Sequence, residues 1–93
     1  MSLAGIAFEA EMTREQAERL AALMAEGRST RPEGVLTASL EYRGGRARLV
    51  AIWRDDETLS GYLAQAEVPR GVALMREVGV EPSISRFEIL ESG

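Results

Sequence analysis

The sequence has no histidine, cysteine, lysine or asparagine. All eleven basic residues are therefore arginine. Without histidine or cysteine, neither the usual zinc and iron–sulfur ligand sets nor a Ser-His-Asp or Cys-His nucleophile can form. Without lysine there is no Schiff base and no P-loop lysine. A haem would need a tyrosine or methionine ligand in place of the common histidine. We therefore expect no metal and no cofactor, and any catalysis must use the remaining side chains, backbone amides or the substrate itself.

The length of 93 residues predicts one domain spanning residues 1–93, of which residues 1–3 are consistent with a remnant of the expression vector. A chain of this size buries only roughly 60–65% of its unfolded surface, so its core is modest. Since no disulfide or cysteine-based metal site adds stability, association of two copies is a plausible additional source of stability.

Charge and hydropathy argue against two classes of partner. The net charge of −4 is unlike a nucleic-acid-binding surface, which is normally basic. No apolar run approaches the roughly 20 residues that span a bilayer, and the N-terminus lacks the features of a secretory signal. The absence of cysteine fits a reducing compartment. We expect no nucleic-acid partner, no membrane association and a cytoplasmic location.

The N-terminal third predicts a strand followed by a helix. Apolar residues recur at every second position over about Leu3 to Met12, which is the period of a half-buried strand. Thr13 and Gln16, three residues apart, predict a capping box at the start of the helix, and Gly27 is a natural end for it. The residues expected to face the core are Ile6, Phe8, Ala10 and Met12 from the strand, and Ala17, Leu20, Ala21 and Met24 from the helix.

The middle of the chain predicts a β-hairpin. Strands over Val35 to Tyr42 and Arg46 to Trp53 flank Gly44-Gly45, a strong signal for a two-residue turn that also sets the register. The predicted pairs on one face are Tyr42 with Ala47, Leu40 with Leu49, Ala38 with Ala51, and Leu36 with Trp53. The opposite face should carry Thr37, Ser39, Glu41, Arg48, Val50 and Ile52, with Glu41 across from Arg48.

The C-terminal part predicts an interrupted helix and a last strand. The helix begins near Asp56, is interrupted or restarted at Pro69, and ends at Gly79. Its apolar side consists of Leu59, Tyr62, Leu63 and Ala66, continued by Val72, Met75 and Val78. A strand over about Ser83 to Glu91 should carry Phe87 and Ile89 on one face.

The resulting order, strand-helix-strand-strand-helix-strand, predicts an α+β fold of the ferredoxin-like βαββαβ type. Such a domain has a four-stranded antiparallel sheet with both helices on one face. Val50 and Ile52 would then be apolar residues on the uncovered face of a central strand, which is usually polar when it faces water. A second copy packed on this face would cover them, so we expect a homodimer.

The segment from Trp53 to Tyr62 carries a resemblance to a known family. It has the pattern W-x-D-x-E-x-L-x-x-Y, in which a strand ending in tryptophan runs through an acidic cap into a helix. Together with the order of elements, this resembles the antibiotic-biosynthesis monooxygenase family of dimeric α+β barrels. The resemblance implies two protomers packed sheet against sheet, with a pocket in each between sheet and helices. Some members oxygenate aromatic polyketides without metal or flavin, and related members open haem.

The chain departs from both active patterns of that family. The haem-opening members use an asparagine, a histidine and a tryptophan, of which only Trp53 is present. The polyketide-oxidising members use asparagine, tryptophan, tyrosine and arginine. Trp53 and Tyr62 match two of these, Arg70 or Arg76 matches the arginine loosely, and asparagine is absent. The resemblance therefore implies the fold and the pocket more strongly than the chemistry.

The candidate site consists of Trp53 and Tyr62 as catalytic residues and Phe8, Leu40, Leu63 and Met75 as substrate-binding residues. Trp53 could equally be a core residue, Tyr62 could have its hydroxyl in water, and Met75 could be core filler. The acidic run Asp55 to Glu57 is more typical of a helix cap than of an acid–base pair. Glu9 and Glu11 are more typical of ion-pair partners for Arg48 or Arg86.

Two hypotheses of different classes remain at this point. The first is a cofactor-independent monooxygenase acting on a small aromatic or polyketide-like substrate, whose deprotonated form supplies electrons to oxygen. The second is a non-catalytic dimeric domain that binds a small ligand or only associates. The tryptophan and tyrosine favour the first hypothesis, and the missing asparagine and histidine favour the second.

Overall fold

The computed structural model describes residues 2–92 as a sheet with helices packed on one side. Its elements are β1 (Leu3–Glu11), α1 (Arg14–Glu26), a short 3-10 turn (Arg28–Thr30), β2 (Val35–Arg43), β3 (Arg46–Trp53), α2 (Asp56–Gln65), α3 (Arg70–Glu77) and β4 (Ser83–Ile89). The sheet is antiparallel in the order β2-β3-β1-β4. The predicted α+β, ferredoxin-like fold is confirmed, with the second helix divided into two.

The hydrophobic core lies between the sheet and the helices. On the central strand β1, Ile6 and Phe8 are 2% and 4% exposed, and Trp53 at the end of β3 is 2% exposed. The largest fully buried side chains are Leu20 of α1, Leu59 of α2 and Met75 of α3. Because each helix contributes one of these residues, all three helices are held to the sheet by a single core.

The turn between β2 and β3 sets most of the predicted register. Gly44 and Gly45 have φ angles of 58° and 83°, which is the left-handed backbone that a two-residue hairpin turn requires. Three predicted pairs are confirmed: Tyr42 with Ala47, Leu40 with Leu49, and Ala38 with Ala51.

The fourth predicted pair, Leu36 with Trp53, is wrong. The register shifts between Val35 and Thr37, so that Trp53 pairs with Val35 and Leu36 is an extra residue in the strand. Such a β-bulge turns the extra side chain out of alternation. Leu36 is 50% exposed as a result, while Val35 packs against the core.

Helix α1 begins as predicted. The Gln16 backbone N–H donates to Thr13 Oγ1 at 3.1 Å, and the Thr13 N–H donates to Gln16 Oε1 at 2.8 Å, which completes the capping box. Ala17 and Leu20 are buried, but Ala21 is exposed, contrary to prediction. Ala21 lies on the flank of the apolar stripe and faces solvent.

The interruption at Pro69 is confirmed, because α2 ends before it and α3 begins directly after it. Gly79 ends α3 with a φ of 89°. Its N–H donates to the Arg76 carbonyl at 3.0 Å, and the Val80 N–H donates to the Met75 carbonyl at 3.1 Å, which is a Schellman motif. None of the helices in residues 2–92 is long and apolar enough to cross a membrane.

The outer face of the sheet, opposite the helices, has the predicted composition. The register between β2 and β3 places on it three cross-strand pairs: Thr37 with Ile52, Ser39 with Val50, and Glu41 with Arg48. Glu41 and Arg48 form the predicted pair at 3.5 Å. From β4, Phe87 lies across Gly5, where a Cβ would overlap the phenyl ring.

Candidate functional site

A cavity of about 90 Å³ lies between the sheet and the helices. The sheet contributes Ile6, Phe8 and Ala51 to its wall, and the helices contribute Leu59 and Leu74. The polar side chains in the wall belong to one tryptophan, one tyrosine and three arginines. A mostly apolar cavity with a few polar groups is the usual form of a small-molecule site.

Four of the six predicted site residues line this cavity: Phe8, Trp53, Tyr62 and Leu63. Leu40 and Met75 do not. Leu40 lies on the edge strand β2, nearer to the hairpin turn than the lining residue Ala38, and of the pair that it forms with Leu49 only Leu49 lines the cavity. Met75 is completely buried, because α3 turns Gly71 and Leu74 toward the cavity and leaves Met75 within the core behind it.

Trp53 contributes a buried hydrogen-bond donor that the protein does not use. Its Nε1–H has no acceptor among the atoms of residues 2–92, although the side chain is almost fully buried. A donor left unpaired in this way costs roughly 1–3 kcal/mol of stability. Gly34 packs against the opposite edge of the indole, since a Cβ on Gly34 would lie 3.2 Å from Trp53 Cε3. The N–H edge therefore faces away from the Gly34 loop.

Tyr62 lies beside Trp53 and links two helices. The ring centroids are 5.1 Å apart, with an angle of 37° between the planes. The Tyr62 hydroxyl oxygen accepts the backbone N–H of Arg70 at 2.8 Å. Because the hydroxyl acts as the acceptor in this bond, its own proton remains for a further acceptor.

Arg70 fastens the turn after α1 over the cavity. Its Nη1 donates to Thr30 Oγ1 at 3.1 Å, and its Nη2 donates to the Gly27 carbonyl. Arg76, the other arginine that loosely matches the family pattern, lies elsewhere and pairs with Glu81 at 2.8 Å. Of the two, Arg70 is therefore the arginine of the cavity.

Arg28 and Arg31 also line the cavity, and sequence reasoning missed both. They lie in the polar segment between α1 and β2, which the sequence marks only as a loop. Their spacing of three residues is a weak signal. The loop folds back toward α3, and this long-range contact brings them to Arg70.

The acidic run before α2 has a structural role. Asp55 caps the helix, since its Oδ1 accepts the Thr58 N–H at 2.7 Å. Hydrogen bonding from the side chain and the backbone of Thr58 lowers the pKa of the Asp55 carboxyl below its ordinary value. Asp56 pairs with Arg86 at 2.7 Å. Neither residue lines the cavity, so the run does not supply its acid–base groups.

The partners predicted for the strand carboxylates are corrected in part. Glu9 lies 3.8 Å from both Arg46 and Arg48 on the outer face, so the predicted contact with Arg48 is present. Arg86 lies on the other face of the sheet, where it pairs with Asp56 and hydrogen-bonds Ser60. It is not a partner of Glu9.

No protein-family model matches the sequence, and no curated protein is significantly similar to it. Solved structures are similar over nearly the whole chain. A candidate antibiotic biosynthesis monooxygenase from Bordetella bronchiseptica has a TM-score of 0.69 at 13% identity, with 98% of this chain and 100% of that chain covered. A protein of unknown function from Nitrosomonas europaea has a TM-score of 0.68 at 17% identity, with 100% and 94% covered. SnoaB, a cofactor-independent oxygenase from Streptomyces nogalater, has a TM-score of 0.60 at 14% identity, with 99% and 94% covered.

The chain has the fold of the antibiotic biosynthesis monooxygenases. The resemblance carried by the segment from Trp53 to Tyr62 is thus confirmed for the architecture. At these identities the likeness concerns the backbone, and one fold hosts many functions. Any chemistry must therefore come from the side chains of this chain's own cavity.

Proposed function

We propose that this protein is a cofactor-independent monooxygenase that oxidises a small aromatic or polyketide-like substrate between its sheet and helices. The observation that carries the proposal is a mostly apolar cavity in whose wall the Trp53 and Tyr62 rings pack together, with the buried Trp53 N–H left unpaired. A flat substrate with a carbonyl or phenolate oxygen would provide the missing acceptor. SnoaB, which has the same fold, is named as a cofactor-independent oxygenase.

In the proposed mechanism the substrate supplies its own electrons. An activated methylene of the substrate loses a proton, and the resulting carbanion transfers electrons to dioxygen so that a carbon–oxygen bond forms. The hydroperoxide then loses water and leaves a carbonyl group, so that one dioxygen gives one carbonyl oxygen and one water. The protein contributes orientation, exclusion of water and donors for the developing oxyanion.

The roles proposed for the cavity residues follow from their contacts. Trp53 donates its indole N–H to the oxygen on which charge accumulates, and Tyr62 donates its remaining hydroxyl proton to a second oxygen. Phe8 and Leu63 hold the ring of the substrate through apolar contacts. Arg70 adds a positive charge to the same wall.

The proposal is tested first by binding. Because the chain has one tryptophan, its fluorescence reports on the cavity alone. Hydroxylated anthrones, phenols and quinones should quench it with saturation, and the anthrones, which carry an activated methylene, should be consumed with dioxygen. If none of them changes the emission of Trp53, the cavity is not a site for aromatic substrates and the proposal fails.

One observation favours a second candidate, a non-catalytic dimeric domain that binds a small ligand or only associates. No carboxylate lines the cavity in residues 2–92, and the chain has no histidine, so the usual bases that would deprotonate the substrate are lacking there. In that case aromatic compounds would quench Trp53 without consuming dioxygen. The oxygenase requires a substrate that ionises without help from a base.

We further propose that the protein is a homodimer formed through the outer face of the sheet. Val50 and Ile52 are apolar, only half-buried and out of reach of the helices. Phe87 extends this apolar area, with the guanidinium of Arg48 5.9 Å from the centre of its ring. A second copy on this face would remove these residues from water.

A further inference from the structure

All ionised side chains in the cavity wall have the same sign. Arg28, Arg31 and Arg70 line it, and no Asp or Glu does so among residues 2–92. This departs from the chain as a whole, which has a net charge of −4. We refer to Arg28, Arg31 and Arg70 as the cationic rim.

The charges of the cationic rim are not neutralised by the protein. Within the described chain, none of its three guanidinium groups has a carboxylate within 4.0 Å. The carboxylates nearest in sequence, Glu26, Glu33 and Glu67, are exposed and form no ion pair with it. Elsewhere in the described chain, five arginines have carboxylate partners (Arg14, Arg46, Arg48, Arg76 and Arg86) and three do not (Arg19, Arg43 and Arg54), but none of these eight lines the cavity.

The rim lies on one side of an otherwise apolar enclosure. Arg28 and Arg31 are exposed, which places them at the mouth, and Arg70 is half-buried and held by the Gly27 carbonyl and Thr30. The hydrogen bonds of Arg70 are made to neutral groups, so its charge remains available to an anion at the mouth. The body of such a ligand would contact apolar walls that include Phe8.

We propose that the cavity selects an anionic ligand with an aromatic or apolar body and one carboxylate. The body enters between sheet and helices, and the carboxylate stays at the cationic rim, where the planar guanidinium fork matches a carboxylate. The choice of cavity rests on the proposed function, and the inference adds the preferred substrate class: an aromatic acid, bound more tightly than a neutral compound with the same ring. The acid group serves for recognition and is not the group that reacts.

The test compares a carboxylate with its neutral isostere. Naphthoate and naphthamide have the same ring and nearly the same shape, and calorimetry measures the affinity of the intact protein for each. Naphthoate should bind roughly 10–100-fold more tightly, and raising NaCl from about 20 mM to about 500 mM should reduce this difference. Arg28→Gln and Arg31→Gln should each weaken naphthoate binding roughly 2–5-fold and leave naphthamide unchanged.

The matched control is Arg19→Gln, which removes the same charge from an exposed position of α1 outside the cavity. It should bind both compounds as the wild type does. Equal affinity of the wild type for the two compounds, no binding of either, or equal weakening by Arg19→Gln would each overturn the inference. If naphthoate binds tightly, Arg28→Gln and Arg31→Gln weaken that binding, and the protein consumes no dioxygen, the inference is supported and the oxygenase proposal is wrong.

Discussion

The indole of Trp53 and the phenol of Tyr62 pack 5.1 Å apart and connect the sheet to the helices around the cavity. β3 supplies Trp53 and α2 supplies Tyr62. The Tyr62 hydroxyl oxygen accepts the backbone N–H of Arg70, the first residue of α3, at 2.8 Å. Arg70 in turn holds the turn after α1. One aromatic pair thus positions the donor of the candidate site and fastens the elements that cover it.

Removing the hydroxyl of Tyr62 tests this connection. Tyr62→Phe leaves the Arg70 N–H without its acceptor, so the free energy of unfolding should fall by about 1 kcal/mol in urea denaturation. If Tyr62 also donates to the substrate, turnover should fall roughly 10–100-fold, and Trp53→Phe should lower it by a similar factor.

Tyr42→Phe is the control for this pair of effects. The Tyr42 hydroxyl donates to the Met12 carbonyl at 3.0 Å, away from the cavity. This variant should lose a similar amount of stability and keep its turnover. A turnover loss in Tyr42→Phe equal to that in Tyr62→Phe would mean that both variants act through stability alone.

The position of the indole depends on Gly34. Its φ of 102° is strained for any residue with a Cβ, and that Cβ would crowd Thr58 Cγ2 and Trp53. Gly34→Ala should destabilise the fold by roughly 1–3 kcal/mol and shift the emission of Trp53. Gly61→Ala is the control, since a Cβ there meets open space within α2 and should stabilise the protein by roughly 0.5–1 kcal/mol. Equal effects of the two substitutions would refute the packing of Gly34 on the indole.

Because of the β-bulge in β2, the neighbouring residues Val35 and Leu36 should differ in how well they tolerate a polar substitution. Val35 packs on the core and lines the cavity, whereas Leu36 is 50% exposed. Val35→Ser should lower the free energy of unfolding by roughly 1–2 kcal/mol, and Leu36→Ser should change it by less than about 0.5 kcal/mol. If Leu36→Ser were the more destabilising substitution, the bulge would be wrong and Leu36 would pair with Trp53 in a regular register.

The proposed dimer is tested on the outer face. Val50→Asp combined with Ile52→Asp would bury unpaired charges between two copies, so light scattering should find monomer or aggregate in place of dimer. Ile84→Asp is the control, because Ile84 is 50% exposed but lies on the helix-facing side, opposite Phe8. It should remain dimeric. A wild-type protein that is monomeric at tens of micromolar would refute the dimer.

The sequence predicts those parts of the structure that depend on local chemistry. Gly44-Gly45 sets the hairpin, Thr13 and Gln16 set the start of α1, and Pro69 divides the second helix. Leu36 was placed incorrectly because a bulge is decided by the fit of the whole strand to its neighbours and not by residue type. The alternation of apolar and polar residues in β2 correctly places Leu40 on the face toward the helices. It does not show how far the cavity extends along that face, because this depends on how the helices pack.

The arginines of the cationic rim show a different limit. Arg28 and Arg31 precede Arg70 by about forty residues in the chain. The hydrogen bond between Arg70 and Thr30 connects residues with the same separation. No periodicity connects a loop to the start of a distant helix. Only the folded chain brings these charges to one cavity, so sequence patterns indicate the apolar wall and miss the charged mouth.

Cofactor-independent oxygenation is tested most directly by measuring dioxygen uptake by chelator-treated, colourless protein with a hydroxylated anthrone. One dioxygen should be consumed for each quinone formed, and chelation should not lower the rate. The rate should rise with pH through the pKa of the substrate, because the substrate anion is the species that reacts. Loss of activity on chelation that iron or copper restores would contradict the mechanism, and saturable quenching of Trp53 without any dioxygen uptake would contradict catalysis itself.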